Sequence, residues 1–250
     1  MLAFYGRCTM EETEPFSVKD RTQHSRKPIS TIISENAVLL LGVSGAWFIL
    51  DVTFYGNSLF SGDVLQSMGV AETPLDEAWQ SLTLNLLALP GYLLAVVAMD
   101  AVGRWNLQIF GFTMTAIIFA ILSLWSRSLE GESIYIVLYA LTFLFVDFGP
   151  NTTTFVIAST AFPTSARATC AGIAAAAGKI GAVVGGMMFK PILAEDGIKT
   201  VFLTCAGFSV LGAAWTMAFV DDTESASLDD GYIGANGEVD GLTEDFHGED

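Results

Sequence analysis

Charge is what this sequence has least of. Of its 250 residues 15% are charged and 52% are hydrophobic, with a mean hydropathy of +0.52, whereas soluble globular domains carry about 25% charged residues. An ordinary soluble enzyme is therefore excluded. Basic residues are the scarcer sign: 11 Lys and Arg stand against 27 Asp and Glu, a net charge of −16, which repels phosphate backbones and excludes a nucleic-acid partner. Cysteine and histidine are scarce as well. Cys8, Cys170 and Cys205 are odd in number and lack ligand-like spacing, and His24 and His247 lie in polar ends. Neither a disulfide framework nor a zinc or other metal site is expected, and no cofactor. Strand-period alternation is missing too, which excludes an outer-membrane barrel.

What the chain has in quantity is long apolar runs. Windows of the length that crosses a hydrocarbon core of about 30 Å fall at Ala37 to Phe60, Ala78 to Met99, Leu107 to Ser126, Ile134 to Ile157, Gly172 to Ile192 and Val201 to Val220. They predict an all-α membrane protein with six transmembrane helices over residues 37–220. Residues 1–36 form a polar segment without the short apolar core of a cleavable signal peptide, so the first span is expected to serve as the insertion signal. Residues 221–250 hold 11 acidic and no basic groups, so the first 220 residues carry only 16 acids against 11 bases. The acidity is thus a property of the tail, whose low apolar content predicts disorder, with a solvated tail or a partner-binding motif as its two readings. Arg7, Lys19, Arg21, Arg26, Lys27, Arg104 and Arg167 fall on one side of the spans and Arg127, Lys190 and Lys199 on the other. By the positive-inside rule both termini are cytoplasmic.

Ionisable groups inside spans are costly, about 2.5–3.5 kcal/mol each on insertion scales, and by default mark a functional site. Three occur here: Asp51, Asp147 and Lys179. Trp47, Asp51 and Tyr55 recur every four residues and share a helix face, which reads either as a transport pathway or as an interfacial aromatic pair beside an isolated acid. Asp147 and Asn151 share a face across Gly149 and Pro150, where a backbone hydrogen bond is lost. The stretch Gly149-Pro150-Asn151-Thr152-Thr153-Thr154 therefore offers freed carbonyls, an amide and three hydroxyls, either as the wall of a polar cavity or as a purely structural kink. Asn151-Thr152-Thr153 is also a glycosylation sequon, which burial should keep unmodified. Small residues at Ala174, Gly178, Gly181 and Gly185 permit close helix approach. Lys179, lying among them, either pairs with an intramembrane acid or anionic ligand or snorkels to the surface.

Several blocks in order carry a family resemblance: Trp47-x3-Asp51-x2-Phe54-Tyr55-Gly56 with Val64-Leu65-Gln66 and Gly69; Pro90-Gly91-Tyr92 leading to Asp100-x2-Gly103-Arg104-x3-Gln108; Phe148-Gly149-Pro150-Asn151-Thr152-Thr153-Thr154-Phe155; Phe162-Pro163-Thr164-x2-Arg167-x-Thr169; and Gly172-Ile173-x-Ala175-Ala176-x-Gly178-Lys179. Together, from about Val38 to Val220, they resemble the second half, helices seven to twelve, of the phosphate:proton symporters of the major facilitator superfamily. The resemblance implies one half of that fold, with inorganic phosphate and protons as the cargo. It implies that Trp47, Asp51, Tyr55 and Asn151 contact phosphate, that Asp51 carries the coupling proton, and that Lys179 is its charge partner. Asp147 joins them as an additional candidate for proton coupling. Asp100, Gly103, Arg104 and Arg167 belong by resemblance to the cytoplasmic gating motifs.

Three departures stand out. Ala158-Ser159-Thr160 replaces a family pattern that ends in Glu, so the acidic member of one gating motif is missing. The position of Asp147 is usually neutral in the family, often Asn. Helices one to six are not in the sequence, which implies an N-terminal six-helix half or a second copy as partner, in the plasma membrane. Rival readings are a sugar or organic-anion carrier of the same superfamily, and a non-transporting, truncated or regulatory half. An intramembrane aspartyl protease, which would be an enzyme, is disfavoured because Asp147 sits in Phe145-Val146-Asp147-Phe148 and lacks the Gly-x-Gly-Asp context of that class.

Overall fold

The computed structural model describes residues 28–67, 73–126, 133–163 and 165–220. The acidic tail, most of the polar N-terminal segment and Arg127 lie outside the described residues, and with them the predicted tail disorder and much of the basic-residue asymmetry. Among the described residues the structure is helical throughout: α1 Ile29–Glu35, α2 Ala37–Leu59, α3 Ser61–Ser67, α4 Pro74–Val102, α5 Arg104–Trp125, α6 Ser133–Phe148, α7 Pro150–Thr160, α8 Arg167–Asp196 and α9 Ile198–Phe219. Six stretches are long and apolar enough to cross a membrane, with α6 and α7 counted together as Ile134–Thr160. The chain is an integral, multi-pass membrane protein.

Several helices run past the apolar windows that predict them. α8 begins at Arg167, five residues before Gly172, and α5 at Arg104 rather than Leu107. Hydropathy marks what lies in hydrocarbon, while the backbone ladder continues until a cap or glycine ends it. α4 starts with Thr73 and Asp76 in a reciprocal capping box and Pro74 in the first turn, where a missing N–H costs nothing. Two joints need glycine. Gly103 (φ +85°) links α4 directly to α5 and Gly197 (φ +78°) links α8 directly to α9, a backbone region that a Cβ would strain.

Contacts at the helix ends define the up-and-down course. Arg104 on α5 meets Thr160 on α7, and Trp105 Nε1 donates to the Val220 carbonyl, at one end. Ser123 Oγ donates to the Lys199 carbonyl and the Ser61 and Ser81 hydroxyls approach at the other. The packing then follows a repeat. α2 packs most extensively on α8, and its counterpart pairing is α6 on α4; α2 also meets α9 as α6 meets α5, and α5 meets α9 between them. Exchanging the first three spans with the last three reproduces this pattern. Apolar side chains from all six spans, among them Val52, Leu84, Phe119, Tyr139, Phe189 and Phe202, fill the largest buried cluster.

Small residues set the register of the two equivalent pairs. On α8 the buried positions Ala174, Gly178, Gly181 and Gly185 face α2; on α4 Leu84, Ala88, Gly91 and Ala95 are buried at the same spacing. A methyl on Gly181 would collide with the Phe48 carbonyl, and one on Gly91 with the Leu144 carbonyl. Three residues beyond each of those carbonyls lies an acid, Asp51 after Phe48 and Asp147 after Leu144. The two intramembrane acids therefore occupy equivalent places in the two repeats.

Candidate functional site

Asp51, Lys179 and Tyr55 come together between α2 and α8. The Lys179 ammonium donates to the Tyr55 hydroxyl at 3.0 Å and to Asp51 Oδ2 at 3.4 Å, and lies 4.6 Å from the centre of the Tyr55 ring. Close approach makes this possible, since Gly178 leaves room for the Trp47 indole and the Asp51 carboxylate to lie side by side against α8. Exposure divides the ion pair: the Asp51 side chain is 3% exposed and that of Lys179 is 61% exposed. The acid is thus built into the helix interface while the ammonium faces the open side of the bundle. At 3.4 Å the contact is also longer than the roughly 2.7–2.9 Å of a tight charge-assisted hydrogen bond, which leaves the ammonium able to take another anionic partner. Lys179 does not snorkel to a helix end, because it lies 12 residues into a 30-residue helix.

Asp147 heads the second group. Buried at 4% exposure, it is the next-to-last residue of α6, before Phe148, and Gly149 (φ −109°, ψ −106°) breaks the helix ahead of Pro150. Asn151 Nδ2 donates to Asp147 Oδ1 at 2.8 Å and to the Tyr92 hydroxyl oxygen at 2.6 Å. Both amide hydrogens are thereby used, leaving only the amide oxygen, an acceptor. Asn151 is partly buried rather than buried, so the burial expected to shield the sequon is incomplete. Of the two readings of the threonine stretch, the hydroxyl partners fit the structural kink. Thr152 donates to the Asp147 carbonyl, Thr153 lies within reach of both the Gly149 carbonyl and Gln108 Oε1, and Thr154 donates to the Pro150 carbonyl. Thr153 and Thr154 are buried. Thr152 thus covers the Asp147 carbonyl at the break, whereas Thr153 and Thr154 bond back within their own helix turn, where the Gly149 carbonyl already accepts the Thr152 and Thr153 N–H groups.

At the end of the bundle near Gly103, Asp100 and Arg104 border one hollow together with Met99 and Val156. Arg104 Nη1 donates to Thr160 Oγ1 at 2.6 Å, so the residue standing where the family pattern has an acid is itself one of the arginine's partners. Arg167 is placed elsewhere: its Nε donates to the Phe162 carbonyl at 2.9 Å, tying the α7–α8 connection to the start of α8.

The model of the family described as sugar (and other) transporter matches residues 9–230. The chain belongs to that family. Within it the chain is similar to inorganic phosphate transporter 1-1 of Arabidopsis thaliana, 35% identical over 72% of this chain and 37% of the relative. It is also similar to inorganic phosphate transporter 1-2 of Oryza sativa subsp. japonica, 36% identical over 76% of this chain and 40% of the relative. A third relative is low affinity inorganic phosphate transporter 3 of Petunia hybrida, 40% identical over 60% of this chain and 30% of the relative. The chain spans less than half the length of these curated relatives. What they are named for is transport, not catalysis.

For this transporter-family chain, two side chains join the site that the sequence reading left without a role. Tyr92, on α4, takes one amide hydrogen of Asn151 and is 39% exposed. Phe155, 63% exposed, meets Trp47 edge to face with ring centres 6.3 Å apart. Tyr92 had a signal: it follows Gly91, whose lack of a side chain marks a close approach.

Proposed function

We propose that the chain is the C-terminal six-helix half of a transporter that carries inorganic phosphate inward together with protons, in the plasma membrane with both chain ends cytoplasmic. The observation that carries this reading is the exposed Lys179 ammonium held between Asp51 and Tyr55 at membrane depth. An ammonium there is expensive unless it meets an anion, and the relatives named for phosphate transport supply the anion's class. Trp47, Tyr55 and Lys179 offer an indole N–H, a hydroxyl and a cation on one side, with Asn151 opposite in the second repeat. The complementary six-helix half, or a second copy, closes the cavity. α4 and α8 favour this, because only 22% and 28% of their apolar windows are buried, against 44–56% for the other spans.

The proton follows from electrostatics. Phosphate that takes over the Lys179 ammonium removes the countercharge from Asp51 and adds a like charge beside it. Asp51 accepts a proton and becomes a hydrogen-bond donor to the anion instead of repelling it. When the cavity opens to the cytoplasm and phosphate leaves, Lys179 returns to Asp51 and the proton is released. Rocking of one half against the other around this site gives alternating access. A sugar brings no charge to compete with Asp51 for the ammonium, which disfavours the sugar carrier.

The test is uptake of labelled phosphate, driven by a proton gradient, in proteoliposomes holding the chain with its complementary half. Asp51→Asn should remove the dependence on the gradient, and unlabelled phosphate should compete where glucose does not. Competition by glucose, or gradient dependence intact in Asp51→Asn, overturns the reading.

A further inference from the structure

The repeat gives each acid a defined counterpart for every neighbour. Lys179 lies two residues before Gly181; two residues before Gly91, its equivalent, stands Leu89. Tyr55 follows Asp51 by four residues, as Asn151 follows Asp147. The second acid is therefore buried in the same packing as the first, with leucine in the place of the cation. The groups that face it carry no positive charge. Asn151 donates from α7 at 2.8 Å, Tyr92 lies against it from α4, α5 packs here with Phe110 and Gly111, and Tyr55 is the next ionisable side chain on α2, within electrostatic reach of Tyr92.

We propose that Asp147 is a second proton-binding site of the transport cavity, filled when phosphate is loaded and emptied on release. The proposal rests on the phosphate reading for its timing, though not for its geometry. A buried carboxylate without a countercharge is costly in an apolar medium, and gaining a cation relieves that cost. A metal ion would need several oxygen ligands around the carboxylate. What Asp147 meets instead is the Asn151 N–H, a donor that cannot ligate a cation, while the amide's other hydrogen is directed at Tyr92. A proton needs only the carboxyl's remaining oxygen.

The same geometry links this proton to the substrate. While Asp147 is ionised, its charge-assisted hydrogen bond retains one Asn151 N–H. A proton on Asp147 weakens that bond and frees the N–H to donate to phosphate, so loading the second site prepares the amide for the anion. Two protons then accompany each phosphate, one at each acid.

The proposal is tested by infrared difference spectroscopy on the purified chain in lipid, between neutral and acidic pH. The wild type should show two buried protonated-carboxyl bands, one lost in Asp51→Asn and the other in Asp147→Asn. Leu89→Lys keeps Asp147 but gives it the missing ammonium, and should also remove the Asp147 band. In the assembled transporter, charge moved per phosphate, from current and labelled flux together, should fall by one elementary charge in Asp147→Asn. A spectrum unchanged in Asp147→Asn, or a band that survives Leu89→Lys, overturns the proposal. Failure of phosphate to be carried at all would sink the proposed function and leave the infrared result to decide Asp147 independently.

Discussion

Asp51 and Asp147 lie in two copies of one helix packing and differ chiefly in what stands across the interface. Each follows by three residues a backbone carbonyl pressed against a glycine, Gly181 for the first and Gly91 for the second. Each has a polar side chain one turn further on. Yet Asp51 has Lys179 at 3.4 Å, whereas Asp147 has an amide and a phenol. The scaffold repeats because close helix approach depends on small residues at fixed spacing. The chemistry does not, because the side chains next to those small residues are free to diverge. One repeat thus sets a cation beside its acid, and the other an amide.

The strongest way to break the comparison is at the one residue that separates the sites. Lys179→Met removes the cation and leaves Asp51 buried alone; phosphate uptake should fall roughly tenfold to a hundredfold, the range that about 1.5–3 kcal/mol of charged hydrogen bonding represents. Leu89→Met at the equivalent place should leave uptake within about twofold, since a volume-conserving apolar exchange on an exposed face costs little. Comparable losses in both would show that packing rather than charge distinguishes the repeats. The shared scaffold should break symmetrically. Gly181→Ala and Gly91→Ala each press a methyl on a carbonyl that cannot yield easily, and each should destabilise the bundle by about 1–3 kcal/mol in thermal unfolding in detergent. Gly172→Ala, with nothing within 4 Å of the added methyl, should instead stabilise by about 0.5–1 kcal/mol. Tyr92→Phe removes one acceptor of Asn151 and should change the apparent phosphate affinity by only about threefold to tenfold, the worth of one hydrogen bond of about 0.5–1.5 kcal/mol.

The acids and the lysine were legible because a charge inside an apolar run is expensive and stands out. Gly149 and Pro150 announced the break for a similarly local reason. The partnership of Asp51 with Lys179 was anticipated only through the family resemblance, because the two are 128 residues apart and helix periodicity says which residues share a face, not which faces meet. Gly178 and Gly181 marked a close approach but not its partner. Tyr92 and Phe155 stayed without a role for that reason. The three threonines left two readings open: a hydroxyl in an apolar segment can line a cavity or satisfy its own backbone, and only the acceptors it finds in the fold decide between them.

The smallest effect concerns the other charge that one repeat has and its counterpart lacks. Gly103 and Gly197 make equivalent joints, followed by Arg104 in the first repeat and Ile198 in the second. Arg104 joins Thr160 through a neutral acceptor at 2.6 Å. Thr160→Glu would turn this into an ion pair across two helix ends, favouring the conformation in which they meet. The gain is limited, because Thr160 is exposed and ends its helix, where a negative charge opposes the helix dipole. Exposed pairs contribute about 0.2–1 kcal/mol, so the open-to-closed equilibrium should move by at most about fivefold. Turnover should therefore fall modestly in low salt and recover in high salt, as screening of an exposed pair requires. A loss that ignores salt would mean that the glutamate acts by distorting the end of α7, and that the neutral brace is needed for its shape rather than for its weakness.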